Sequence, residues 1–203
     1  MNVTAQAGDT LIHAGGPAAA KQVQRIALRR LRKAIPTAIR RQAAQTVAKL
    51  LLRLGCVLRA RRVAVYLSMG SELDTSVLIT ALRRRGIATY APVLCRQRLR
   101  FRRLSGGRLR PHRLGMSQPI QGPTLAASAM TAVLLPLLGF DSRGQRLGQG
   151  GGYYDRTLVR LAFRPYRIGL AFAAQHCAPL PAERWDQPLH AVLTERGLHR
   201  FSR

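Results

Sequence analysis

Lysine is nearly missing from this chain of 203 residues: it occurs at positions 21, 33 and 49, although lysine and arginine together number 34. Acids are almost as scarce, eight in all, which leaves a formal charge of +26. Such an excess first points to polyanions, because clustered cations displace counterions from phosphate backbones. Clustering is what the sequence lacks. Its arginines run along almost the whole length with few aromatic residues between them, so a general preference for arginine explains the charge at least as well as a nucleic-acid partner does. Three cysteines, Cys56, Cys95 and Cys177, are odd in number and far apart, which excludes a disulfide framework and the paired spacing of a zinc site. They read as reduced, structural thiols. No apolar run is long enough to span a bilayer. Residues 1–20, with Asp9, Gly15, Gly16 and Pro17, lack the basic start and apolar stretch of a secretory leader, so the expected compartment is the cytoplasm.

What is present supports a folded protein. A hydrophobic fraction of 47% is ordinary for a globular chain, and the length favours one core. We expect a poorly ordered extension over residues 1–20 and one domain over 21–203. Val23, Ile26, Ala27, Leu31, Ala34 and Ile35 recur at helical spacing, with Arg25, Arg29 and Arg32 projecting elsewhere, until Pro36 ends the helix. A second helix carries Ile39, Ala43, Val47, Leu50, Leu51 and Leu54, with Gly55 as its stop. Residues 63–67 form a short apolar run that suits a buried strand. A helix capped by Asp74 or Thr75 and ended by Gly86 follows, then a strand over 87–91 stopped by Pro92. Residues 95–113 suggest an exposed hairpin turning at Gly106 and Gly107. Further strands are expected at 131–136 and 167–172, with a helix over 153–163. Alternation of strand and helix predicts an α/β fold, three-layer and doubly wound, with a mostly parallel sheet and helices on both faces.

The strongest chemical signal is GFDSRGQRLGQGGGYYDRTL, Gly139 to Leu158, between a predicted strand and a predicted helix. Glycines at 148, 150, 151 and 152 let backbone amides approach an anion, and the helix that follows aims its positive end at the same place. Arg146 can add a bidentate phosphate contact. A tight structural turn is the competing reading. The segment is neither of the common nucleotide loops, because Gly152 is followed by Tyr153 and Tyr154 rather than Lys and Ser or Thr, and no early strand precedes it. Asp155, just inside the helix, suits the helix dipole or a magnesium ion on phosphates, with Asp186 as a second ligand.

Four landmarks in order carry a family resemblance: KQVQR at Lys21 to Arg25, VYLSMGSELDT at Val65 to Thr75, RLGQGGGYYD at Arg146 to Asp155, and LPAERWDQPLHAVLTE at Leu180 to Glu195. Together they resemble the 5-formyltetrahydrofolate cyclo-ligases, also called 5,10-methenyltetrahydrofolate synthetases. The resemblance implies an enzyme that uses ATP and Mg2+ to close a ring on a reduced folate. The formyl oxygen attacks the terminal phosphate of ATP, the second folate nitrogen adds to the activated carbon, and phosphate and ADP are released. It assigns ATP contacts to Lys21, Arg25, Arg146, Gly148, Gln149, Gly150, Gly151, Gly152, Tyr153 and Tyr154, and folate contacts to Leu67, Glu72, Gly150, Gly151, Gly152 and Tyr153. Arg146, Tyr153 and Asp155 become catalytic, and Asp155 and Asp186 hold the metal. It further implies a monomer with no membrane or nucleic-acid partner. The chain departs from the family pattern at Gln118, where a glutamate often precedes the proline, and at Gln149. A basic RNA- or ribosome-associated protein that keeps the fold without the chemistry is the rival reading, and a transferase acting on another small substrate is a third.

Overall fold

A computed structural model describes residues 16–161 and 165–201. Its helices are α1 (Gly16–Ala34), α2 (Thr37–Leu51), α3 (Gly55–Leu58), α4 (Ser76–Arg84) and α5 (Tyr153–Leu158). Its strands are β1 (Arg62–Val65), β2 (Ala88–Cys95), β3 (Arg98–Arg103), β4 (Leu109–Pro111), β5 (Ser117–Pro119), β6 (Thr124–Leu125), β7 (Ala132–Pro136), β8 (Gly139–Phe140), β9 (Arg146–Leu147), β10 (Tyr166–Leu170), β11 (Ala191–Thr194) and β12 (Gly197–Arg200). Eight strands form one sheet in the order β12-β11-β10-β7-β1-β2-β3-β6. The neighbours from β2 through β1, β7 and β10 to β11 pair in parallel, while β12, β3 and β6 add antiparallel edges. The expected mostly parallel α/β architecture is therefore present.

Strand pleating sorts the core. Val63 and Val65 of β1, Leu134 of β7, and Ile168 and Leu170 of β10 pack with Val47 and Leu51 of α2 and Leu78 and Leu82 of α4. The intervening residues, Ala64, Val133 and Leu135, face the other side with Phe101, Phe140, Val192 and Leu158 of α5. Thr75 is the N-cap residue of α4 but makes no capping hydrogen bond, its hydroxyl donating to the Tyr66 carbonyl at 2.7 Å, while Asp74 just ahead of it accepts from the Ser76 backbone N–H at 2.9 Å.

Several local expectations change. The first helix starts at Gly16, so residues 16–20 belong to it and not to an extension; residues 1–15 lie outside the described residues. Its inward face is also the opposite of the expected one. Val23, Ile26 and Leu31 are exposed, while Lys21, Leu28 and Arg32 are buried. Gly55 opens α3 rather than closing α2. Pro92 lies inside β2. That costs no sheet hydrogen bond on the β1 side, because the pairing with β1 ends at Tyr90 and Pro92 faces only β3. The hairpin turns at Arg96 and Gln97, with Arg96 at φ 53°, and not at Gly106 and Gly107. The helix that starts at Tyr153 ends at Leu158, and Phe163 lies outside the described residues.

Candidate active site

The strand order reverses at β1. From β1 the chain moves to β2 on one side and later returns through β7, β10 and β11 on the other. Loops leaving adjacent strands at such a point diverge and open a crevice at their carboxyl ends. Here those loops are residues 66–75 after β1 and 137–152 after β7, which contain Glu72 and the glycine segment.

Helix α1 lies across this crevice and explains its own inverted amphipathicity. Lys21, Arg25, Leu28 and Arg32 recur at helical spacing and face inward, because the surface below is polar. Lys21 donates from Nζ to Glu183 Oε2 at 2.5 Å and Asp186 Oδ2 at 2.6 Å. Arg25 donates from Nε to the Gly148 carbonyl at 3.2 Å, and Arg29 reaches the Gln149 side chain at 2.9 Å. Arg32 donates to Ser71 Oγ at 3.1 Å and the Leu137 carbonyl at 3.2 Å, and its Nη1 lies 3.9 Å from Glu72 Oε1. Gly139 permits the close seating of this helix, since a Cβ there would fall 2.5 Å from Leu28 Cδ1. Burial pulls the Lys21 ammonium down, but its hydrogen bonds to Asp186 and Glu183 more than offset this and hold it above its ordinary value.

The glycine segment starts from a two-stranded ribbon in which Phe140 pairs with Arg146. Gln149, Gly150 and Gly151 are exposed at its tip. Gly150 and Gly152 hold φ of 104° and 63°, a region a side chain disfavours. A Cβ on Gly151 would meet the Tyr153 ring at 2.8 Å. Arg146 donates from Nη2 to Asp155 Oδ1 at 2.5 Å, and its guanidinium lies 5.9 Å from the Tyr154 ring centre. Arg156 covers the Tyr153 ring at 5.1 Å and donates to the Gly151 carbonyl at 2.6 Å. Asp155 Oδ1 also accepts from the Gln187 N–H at 3.1 Å, which binds the glycine segment to the 180–189 loop.

Glu72 is buried and accepts from the Met69 N–H at 3.0 Å. Burial pushes its carboxyl up, opposed by the Met69 N–H, Arg32 and the Gln149 side chain. The Tyr154 phenol is driven well above its ordinary range, first by burial and then by Glu72. Lys21, Arg25, Glu72, Arg146, Gly148 to Asp155 and Asp186 therefore form one connected group. Leu67 leaves the end of β1 at half-burial and lines a neighbouring cleft.

Sequence reasoning missed Arg32, Ser71 and Glu183. The stripe at positions 21, 25, 28 and 32 was the available signal, but it is mostly charged, and helical periodicity in apolar residues does not reveal a charged inward face. Of the remaining acids, fully buried Asp141 accepts from the backbone N–H groups of Arg143, Gln145 and Leu180, and fixes the turn ahead of the glycines. Cys56 and Cys95 are exposed free thiols, not structural ones.

Residues 17–195 match the family described as 5-formyltetrahydrofolate cyclo-ligase. The chain belongs to that family. Among relatives of the cyclo-ligase family, it is 36% identical over 174 residues to the 5-formyltetrahydrofolate cyclo-ligase of Escherichia coli K12, covering 82% of this chain and 96% of the relative. The Haemophilus influenzae cyclo-ligase is 33% identical over 181 residues, with 85% and 96% covered. The solution structure of Aquifex aeolicus 5,10-methenyltetrahydrofolate synthetase superposes with a TM-score of 0.81 at 26% identity, covering 90% of this chain and 93% of that one.

Proposed function

We infer that this protein converts 5-formyltetrahydrofolate and ATP to 5,10-methenyltetrahydrofolate, ADP and phosphate. One observation carries the reading: an exposed run of glycine amides stands at the sheet's crossover crevice with Arg25 and Arg146 behind it and buried Glu72 beside it. Backbone amides and arginines suit the phosphates of a nucleotide, and a buried carboxylate suits the N–H edge of a pterin.

The chemistry asks mainly for positioning and charge neutralisation. The glycine amides of 148–152 and Arg146 hold the terminal phosphate facing the formyl oxygen. That oxygen bonds to phosphorus as the bond to ADP breaks. The second folate nitrogen then bonds to the activated carbon and loses its proton, and the carbon–oxygen bond to phosphate breaks. Lys21 and Arg25 bind the nucleotide from α1, with Gln149, Tyr153 and Tyr154 around it. Leu67, Glu72, Gly150, Gly151, Gly152 and Tyr153 bind the folate.

The donor set fits magnesium. Asp155 and Asp186 each engage a cation through one oxygen, and the Oδ2 of Asp155 and the Oδ1 of Asp186 have no hydrogen-bond partner among the described residues. Magnesium takes one or two carboxylates and completes its shell with phosphates and water, so these two oxygens would hold it. When bound, it neutralises charge on the transferring phosphate. Because one chain supplies every group named, a monomer suffices, and the free thiols suit the cytoplasm.

Methenyl formation followed by its absorbance tests this. Asp155→Ala and Arg146→Ala should each lower the rate by roughly 100-fold or more, with circular dichroism unchanged. Near-normal rates in both refute the assigned roles.

A further inference from the structure

In a chain this rich in arginine, a guanidinium marks a role only where its donors are fixed on particular acceptors. Those of Arg156 in α5 are. Its Nε donates to the Gln97 carbonyl at 2.8 Å and its Nη2 to the Gly151 carbonyl at 2.6 Å. Nη1 takes the space that a Cβ on Gly152 would need, 2.6 Å away, and the whole group lies over the Tyr153 ring at 5.1 Å. One planar fork thus joins the turn between β2 and β3 to the tip of the glycine segment. Thr157 makes a second join, accepting from the Leu99 N–H at 2.8 Å and donating to the Tyr153 carbonyl at 2.6 Å. The anchor is firm, because Leu99 and Phe101 of β3 are buried in the core.

Capturing a carbonyl also sets an amide. In a trans peptide the C=O and the following N–H are coplanar and point in opposite directions, so holding the Gly151 carbonyl turns the Gly152 N–H away from Arg156. Arg25 does the same at the other end of the tip, where its Nε holds the Gly148 carbonyl at 3.2 Å and so directs the Gln149 N–H. The backbone N–H groups of residues 149–152 have no hydrogen-bond partner among the described residues, which leaves them available to an anion. Gly150 at φ 104° and Gly152 at φ 63° make this path possible. The same freedom is a liability, because glycine populates positive and negative φ about equally and a peptide that nothing holds can flip.

We propose that Arg156 is a positioning residue for the phosphate-binding amides: by clasping the Gly151 carbonyl to the β2–β3 turn, it fixes the direction of the Gly152 N–H toward the terminal phosphate. This rests on the nucleotide reading above. Arg156 spends its donors on two neutral carbonyls and acts on the phosphate only through the peptide it holds.

Affinities for β,γ-imido-ATP and for ADP, measured by calorimetry with magnesium present, test the assignment. An amide aimed at the terminal phosphate matters only to the nucleotide that has one. Arg156→Met should weaken β,γ-imido-ATP roughly 10-fold, the worth of about one hydrogen bond to a charged group, and change ADP by less than about two-fold. Arg156→Lys keeps the charge but cannot span both carbonyls, so its affinity for β,γ-imido-ATP should stay at least about five-fold below that of the parent protein. Should Arg156→Met fail to fold, Arg156→Lys carries the same comparison of the two nucleotides. Equal weakening of both nucleotides overturns the proposal and leaves Arg156 a general structural role. Parental affinity in Arg156→Lys overturns it and assigns a direct charge contact, and parental affinity in Arg156→Met overturns it outright. Each of these results leaves the cyclo-ligase reading intact, whereas a parent protein that binds neither nucleotide defeats that reading.

Discussion

Replacing Arg32 by methionine keeps an apolar stem under α1 and removes the guanidinium that faces Glu72. Three interactions disappear: the donation to Ser71 Oγ at 3.1 Å, the donation to the Leu137 carbonyl at 3.2 Å, and the 3.9 Å approach to Glu72. Removing one member of a buried ion pair costs about 3–5 kcal/mol. The lower end applies, because this pair is long and the Leu137 carbonyl keeps a second donor in Gln175 Nε2 at 2.8 Å. At about 2–4 °C per kcal/mol for a chain of this size, a loss of about 3 kcal/mol lowers Tm by roughly 6–12 °C. The pH dependence is the sharper test. Burial already raises the folded-state pKa of Glu72 above its ordinary 4.5, so the folded protein binds that proton more tightly than the unfolded chain. Stability attributable to Glu72 is then greatest below 4.5 and is lost as pH rises through the folded value. Without Arg32 the folded value climbs further and the window widens upward. Thermal melts should show a deficit that shrinks on acidification toward 4.5 and grows as pH rises, and Glu72→Gln added to Arg32→Met should recover most of it. A deficit independent of pH, or no recovery in the double variant, refutes the reasoning.

Gly152→Ala forces a side chain into φ 63° with its Cβ 2.6 Å from Arg156 Nη1; we expect about 1–2 kcal/mol of destabilisation and weaker nucleotide binding, read by melting with and without ATP. Lys21→Met leaves Glu183 and Asp186 facing each other without their cation; KM for ATP should rise roughly 10-fold. Because Lys21 is held above 10.5 in the folded protein, its contribution is fully present at neutral pH and is lost only as pH rises through that raised value. In wild type, a step in ATP affinity between pH 6 and 9 that Lys21→Met abolishes contradicts this.

The sheet was legible where short apolar runs sit between turn residues, as at residues 63–65, 132–136 and 168–170, because a strand buried on both faces leaves that signature. The glycine segment was legible because few sequences tolerate three consecutive glycines without a use for them. The role of α1 was not, since its buried stripe is charged and the propensity argument assigns charge to solvent. Only the third dimension, which brings Glu183 and Asp186 under Lys21, reverses that assignment. Pro92 misled for a related reason. A strand that outruns one neighbour can hold a proline, and the length of that neighbour is set elsewhere in the chain. The run at Ala191–Thr194, buried throughout, carries the same apolar signature, but at four residues it is too short for periodicity alone to mark it as a strand.

Lys21 and Asp186 are separated by 165 positions yet meet in one hydrogen bond. In a chain emerging from the ribosome the first helix finds partners at Ser71, Leu137, Gly148 and Gln149, but Lys21 gains its two carboxylates only near the end of synthesis. Fragments that stop short of residue 186 therefore expose a cationic stripe without its clasp. The seating of the first helix is therefore completed by residues from the far end of the chain, a contact of very high sequence separation that local structure alone cannot supply.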